Sequence, residues 1–332
     1  MKIAFHLENL TLRGTTVAVK DYAKYNKEIL NNESIFFYKK GILDNNFDEN
    51  CIKRQEIFAQ IFENYESFEY NDIEDLEKKV KIHACDFAYF LKAGFDDGMY
   101  LKDTKSLIHC VFNNYQPHGY KYSYISKWLA KIVSSKNSLN NYVPHIVNLP
   151  KNITVDLRQN LKISSDKFVV GRYGGFDQFD IPFVYNVINY LVNNDDNIIF
   201  IFINTRKFIE HKNVLFLNPI IDPQDKSNFI SACDIMLHGR SDGESFGLSI
   251  CEFLFHNKPV LSFGKGRDKN NVELLENVRG VYNSEYELLE KFFNLKYEKM
   301  NGIKYDDKYS NIILEFSPEN VMKRFDEIFL RD

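Results

Sequence analysis

Residues 234–263, DIMLHGRSDGESFGLSICEFLFHNKPVLSF, constrain this chain more than any other stretch. Asp234–Leu237 reads as the end of one buried element and Arg240–Ser245 as a polar turn. Phe246–Phe255 reads as an apolar-rich helix that stops at Asn257 and Pro259, where proline cannot continue it. Val260–Phe263 follows as a short buried strand. In a doubly wound α/β sheet, ligands sit at turns of this kind, where a helix N-terminus points free N–H groups at anions.

Two carboxylates frame the turn: Glu244 just before the helix and Glu252 within it. Helical rise over that spacing separates them by roughly 12 Å, enough to hold an elongated ligand at both ends with its negative middle at the helix start. A nucleotide sugar has that form. Ionised carboxylates accept hydrogen bonds from hydroxyls, so Glu244 would hold the sugar and Glu252 the ribose. Spacing alone says little, because Glu66/Glu74 and Glu69/Glu77 repeat it in an acidic, surface-like stretch. What distinguishes the 244/252 pair is its setting, with Gly243 and Gly247 flanking Glu244, then an apolar helix, an Asn-Lys-Pro stop and a buried strand.

On these residues the chain resembles the GT-B glycosyltransferases, family 4 in particular, whose second domain carries E-x-FG-x5-E followed by a G/N-x-PV turn. Here the motif reads Glu244, Phe246, Gly247, Glu252, Asn257, Pro259 and Val260. The resemblance implies an α/β chain of two Rossmann-like domains facing across a cleft, and a donor diphosphate at the Ser245, Phe246, Gly247 and Leu248 amides. It also implies G-R at the end of a second-domain strand, here Gly171 and Arg172, with Gly174 beside them. A lysine usually follows, but this chain reads Gly175-Phe176-Asp177-Gln178-Phe179-Asp180 there, and Lys265 or Arg267 could take its place. The alternative for Arg172 is a plain ion pair with Asp177 or Asp180. The loop holding Asn218 would lie beside the nucleotide base. The first-domain loop, with Gly14 and Thr15, would approach the diphosphate and acceptor unless it is a simple tight turn. Family enzymes often carry a histidine against the sugar; His109 and His118 are the candidates, each with a structural alternative, and His238 could also line the pocket.

The 332 residues suggest two domains, and 44% apolar content with mixed charge excludes a disordered chain. A net charge of -4 gives no general attraction to nucleic acid. Five scattered cysteines without C-x-x-C spacing, and an N-terminus that runs straight into a strand pattern, suggest a cytoplasmic protein. The histidines lack metal-site spacing, and the absence of D-x-D speaks against a metal-held donor, so neither metal nor cofactor is expected.

A first strand (1–7), a glycine turn and a helix (17–30) open a Rossmann-like unit, with further strands expected at 34–38, 85–91, 106–112 and 142–150. The acidic stretch 45–81 reads as solvated helix or loop. Residues 113–136 hold four lysines and five Tyr or Trp rings without an acid, a pattern suited to peripheral membrane contact or to a helix packing Trp128 and Leu129 inward. Prolines place the domain boundary near 150, giving domains 1–150 and 151–316, and Ser317-Pro318 starts a last helix, 317–332, expected to cross back onto the first domain.

The resulting expectation is a retaining, metal-independent transferase moving a sugar from a nucleoside diphosphate to a hydroxyl of a glycan, glycolipid or protein-linked acceptor. Two rivals keep the scaffold: a sugar-nucleotide-binding subunit without turnover, and a nucleotide-sugar hydrolase or epimerase.

Overall fold

The computed structural model describes residues 1–11, 14–44, 54–63, 65–133 and 141–331; Cys51 and residues 134–136 lie outside them. The chain divides into two compact units, Met1–Ile146 with Phe316–Asp332, and Val147–Glu315.

In the first unit, strands β1 (Lys2–Leu7), β2 (Glu33–Lys39), β3 (Ser67–Tyr70), β4 (Phe87–Lys92), β5 (Lys105–Cys110) and β6 (Lys121–Tyr124) alternate with helices. These are α1 (Gly14–Glu28), α2 (Arg54–Phe62), α3 (Ile73–Ile82) and α4 (Lys127–Val133). The strands pair in parallel in the order β3-β2-β1-β4-β5-β6.

The second unit runs α5 (Leu157–Asn160), β7 (Phe168–Tyr173), α6 (Pro182–Asn194), β8 (Ile198–Ile203), β9 (Val214–Leu217) and α7 (Pro223–Ala232). It continues through β10 (Ile235–His238), β11 (Gly243–Glu244), α8 (Leu248–Phe255), β12 (Val260–Phe263), β13 (Asp268–Lys269), α9 (Asn270–Leu275), β14 (Val281–Tyr282) and α10 (Glu285–Met300). Six of these strands form a second parallel sheet, β14-β12-β10-β7-β8-β9, while β11 and β13 make a separate two-residue ladder. The two sheets therefore repeat one topology, in which the direction of winding reverses beside the first strand, between β1 and β4 and between β7 and β10. Parallel strands covered on both faces read as continuous apolar runs, and β8 (IIFIFI) is buried at every position.

Strands β3 and β6 lie in stretches whose composition suggests loop or helix. Both are edge strands, and SFEY and KYSY each leave part of their length uncovered, so polar residues interrupt the apolar pattern. Conversely, the expected strand at 142–150 forms only a bridge from Tyr142 to Tyr124. Pro144 and Pro150 lack the N–H a ladder needs, although Val143, Ile146 and Val147 are buried. Among the described residues no helix is long and apolar enough to cross a membrane.

Helix α11 (Pro318–Phe325) belongs to the first unit. Ser317 caps it by accepting from the Asn320 N–H, with Pro318 at the first helical position. Phe325 stacks on Tyr22 at 5.5 Å, and Phe329 packs on His109 at 5.3 Å.

His6, His109 and His145 are all buried in this unit. Burial lowers the first two to about 3, with Lys92 adding to the effect on His6, and takes His145 well below its ordinary value. Below pH ~6.5 the unfolded chain binds protons on these imidazoles that the folded chain refuses, so stability falls as pH drops from ~6.5 towards ~3. At pH 5.5 the loss should reach about 1 kcal/mol per imidazole relative to pH 7.5. Urea unfolding followed at both pH values checks this; equal stability at the two would contradict it.

Candidate functional site

The strand order of the second unit reverses between β7 and β10, so a crevice is expected beyond the carboxyl ends of these strands. Arg172 and Tyr173 end β7, His238 ends β10, and the turn 239–247 leads from there into α8. Phe179 fills the space a side chain at Gly239 would need, its ring 2.7 Å from an added Cβ. Asp180 accepts from both the Ser241 N–H (2.7 Å) and its hydroxyl (2.6 Å), buckling the loop after β7 to the turn after β10. Gly243 has φ +75°, and an added Cβ would lie 1.9 Å from the Asp268 carbonyl oxygen, so the β11–β13 ladder requires glycine there. Gly247 caps α8 at φ +87° with no side chain on the first-turn N–H groups. That terminus carries positive potential and free donors.

Glu244 is largely covered, yet its carboxylate meets two donors. His238 Nε2 lies 2.9 Å from Oε1, and Arg240 donates to Oε2 at 3.1 Å. Burial pushes this carboxyl up, but the His238 hydrogen bond and Arg240 outweigh it and hold the group below its ordinary value. The main-chain N–H of Glu244 donates to Asn271 in α9 (3.3 Å). The Nε of Arg240 is buried without a protein partner.

Glu252 is 4% exposed, accepting from Lys226 of α7 at 3.2 Å and from the Tyr173 hydroxyl. Burial and the Glu252 charge keep the Tyr173 proton in place, far above its usual pKa. Cys251 lies between the two carboxylates electrostatically: burial first, then Glu252 and Glu244, push its thiol up.

Arg172 is 2% exposed and pairs with neither Asp177, which binds Arg206, nor Asp180. It donates instead to the Asn204 carbonyl (3.1 Å), Thr205 Oγ1 (2.5 Å) and the Gly175 carbonyl (2.9 Å), with its guanidinium over Phe179. Burial brings it down to about 10, partly offset by Glu244, so it is a cation at neutral pH within the field of that carboxylate. Gly171 makes room for packing, since a Cβ there would meet Cys233 Sγ at 2.3 Å and Phe253 at 3.1 Å. Gly174 would place a Cβ 3.0 Å from the Arg172 guanidinium, and its carbonyl accepts from Asn204 at 2.7 Å. Ser245 and Leu248 are half-buried, Phe246 is buried, and Asn218 is exposed in the loop after β9. Arg267 is exposed and pairs with Asp268, Lys265 is exposed, and Lys269 donates to the Gly264 carbonyl.

In the first unit, Gly14 and Thr15 open α1, half-buried, and Thr16 beside them donates its hydroxyl to the Asn9 carbonyl. His109 is a fully buried core residue among Tyr22, Tyr89, His145 and Phe329, with Tyr89 2.7 Å from its Nδ1. His118 is 9% exposed, bonds the Gln116 carbonyl through Nδ1 at 2.6 Å, and keeps a buried Nε2 without a partner. Within 113–133, Tyr115, Tyr120, Lys127 and Lys131 are exposed while Trp128 and Leu129 are buried. Sequence reasoning did not single out Arg240, Asn271, Ser262, Tyr173 or Lys226. Only Arg240, four residues before Glu244, carried a local signal.

No protein-family model and no curated protein matches the chain. Solved structures do. HepE of Anabaena in complex with UDP and glucose aligns with TM-score 0.67 at 13% identity, covering 98% of each chain. A glycosyltransferase from Rickettsia africae aligns with TM-score 0.68 at 13% identity over 99% of this chain and 97% of that one. The proposed UDP-N-acetylglucosamine 2-epimerase of Listeria monocytogenes aligns with TM-score 0.62 at 10% identity over 100% and 97%. The shared architecture is the GT-B fold, with two parallel six-stranded sheets and interleaved helices.

Gly243→Ala should strain the turn under Glu244 by about 2 kcal/mol or more, since the added carbon meets main chain at a positive φ. Thermal denaturation should register a fall of roughly 5 °C. An unchanged midpoint would show that the turn relaxes freely.

Proposed function

We propose that this GT-B chain is a glycosyltransferase that moves a sugar from a nucleoside diphosphate to an acceptor hydroxyl, with retention and without a bound metal. The observation that carries the reading is the Glu244 carboxylate, held below its ordinary pKa although largely covered, beside the uncapped start of α8 at the switch point. A carboxylate kept ionised under cover suits hydroxyl-rich ligands, and free amides at a helix start suit phosphate oxygens.

In this reading Glu244 accepts from sugar hydroxyls, and the amides at Ser245–Leu248 face the diphosphate. Glu252, already braced by Tyr173 and Lys226, accepts from the ribose. Arg172 and Arg240 supply positive field beside the phosphates. The bond from the anomeric carbon to the diphosphate oxygen breaks as the acceptor oxygen bonds that carbon. The acceptor proton passes to the departing diphosphate, whose developing charge the arginines and helix amides stabilise. The exposed tyrosines and lysines of 113–133 support a glycan or lipid-linked acceptor at or near a membrane surface. Free thiols at Cys85, Cys110, Cys233 and Cys251 support a cytoplasmic setting.

A thermal-shift screen with UDP-, GDP-, ADP- and dTDP-sugars should find one nucleotide class that raises the melting temperature, because a ligand of the folded state stabilises it. No shift with any of them would count against the reading. Glu244→Ala should lower kcat/KM for that donor by about 10²–10³-fold with the fold intact. Product analysis separates the rivals: free sugar or an epimer alone means hydrolysis or epimerisation, and binding without turnover means a binding subunit.

A further inference from the structure

Glu244 stands in a closed ring of hydrogen bonds drawn from four elements. His238 and Ser262 are register partners on the adjacent parallel strands β10 and β12, which places the Ser262 hydroxyl 3.0 Å from His238 Nδ1. Asn271 donates its amide N–H groups to Ser262 Oγ and the Phe263 carbonyl, both at 2.9 Å. Its amide oxygen accepts from the Glu244 main-chain N–H, and the Glu244 carboxylate meets His238 Nε2 at 2.9 Å. An ionised carboxylate only accepts, so Nε2 carries the hydrogen of that bond. The Ser262 oxygen accepts from Asn271 and keeps both a hydrogen to give and a lone pair to accept, so it pairs with Nδ1 in either sense. His238 and Ser262 are both buried, and their polar atoms are engaged by Glu244, by each other and by Asn271.

We infer that His238 is the positioning residue for Glu244, with Ser262 and Asn271 holding its ring so that Nε2–H stays on the carboxylate and the carboxylate presents a fixed face to the donor sugar. The inference rests on the glycosyltransferase reading above and adds to it a residue that acts at the sugar end of the donor and leaves nucleotide binding alone. A side chain that merely filled space at position 238 would affect stability, and any effect on binding would not distinguish the sugar from the nucleotide.

The test compares His238→Leu, His238→Gln and Ser262→Ala with the unaltered full chain. It measures steady-state kinetics with the nucleotide sugar found by the screen, and calorimetric binding of that nucleotide sugar and of its free nucleoside diphosphate. His238→Leu should lower kcat/KM for the donor roughly 10- to 100-fold, the range expected for losing one hydrogen bond to a charged group. Binding of the free diphosphate should stay within about twofold, since the sugar end alone is disturbed. His238→Gln, whose amide nitrogen can reach the place of Nε2, should recover most of the loss. Ser262→Ala should cost activity in the natural background and nothing further in the His238→Leu background, as expected for groups acting in series.

Equal kcat/KM in His238→Leu and the unaltered chain would overturn the inference. So would equal weakening of free diphosphate and nucleotide sugar, or a glutamine variant as defective as the leucine one. Should His238→Leu fail to fold, the glutamine and alanine variants decide: a full loss in His238→Gln, or no effect of Ser262→Ala, would overturn it. An unaltered chain that neither binds nor turns over any nucleotide sugar sinks the glycosyltransferase reading and this inference with it. Turnover by the unaltered chain with no response at position 238 sinks this inference alone.

Discussion

A carboxylate that is both covered and ionised needs donors delivered from several parts of a chain, and Glu244 obtains them from His238 in β10 and from Arg240 in the turn, while its main-chain N–H donates to Asn271 of α9. Leaving such a group unpaired costs several kcal/mol, so the surrounding segments must be in place together. The second unit is built to meet that demand. Parallel pairing of β10 with β12 sets His238 against Ser262, and the β11–β13 ladder brings Asn271 under the turn. The left-handed glycines at 243 and 247 let the chain fold back tightly enough to put the carboxylate there.

The same winding order appears in both units, with the reversal beside the first strand of each sheet. In the second unit that reversal gathers chemistry: a buried arginine at the end of β7, a histidine at the end of β10, and a helix start with no side-chain cap. The first unit carries buried polar groups at the equivalent edge, where His6 meets Tyr70 at 2.6 Å and Lys92 pairs with Asp97. Its other histidines went into packing. His109 sits against the C-terminal segment, where Phe329 completes the aromatic cluster around it.

What could be read from the sequence was whatever is local. The run from Asp234 to Phe263 announced a strand, a turn, a helix and a strand because its turn residues and its apolar run are contiguous, and Val260–Phe263 is a strand at those bounds. The partners that give the carboxylates their character were not legible, since they arrive from far along the chain: Tyr173 reaches Glu252 across 79 residues and Asn271 reaches Glu244 across 27. Strands β3 and β6 escaped notice because an edge strand is covered on too little of its surface to need an apolar pattern. Arg172 was visible as a cation after a glycine; that its hydrogen bonds run to Asn204, Thr205 and Gly175 depends on loops that only the folded sheet brings together.

The central claim is that the turn at 243–247 is where a sugar joined to a nucleoside diphosphate is held. The most direct measurement is a crystal structure of the chain with the nucleotide sugar that stabilises it most. The account predicts sugar hydroxyls within hydrogen-bond distance of the Glu244 carboxylate, phosphate oxygens on the first amides of α8, and the ribose at Glu252. A nucleotide sugar bound elsewhere, or bound with Glu244 still facing only His238 and Arg240, would contradict it.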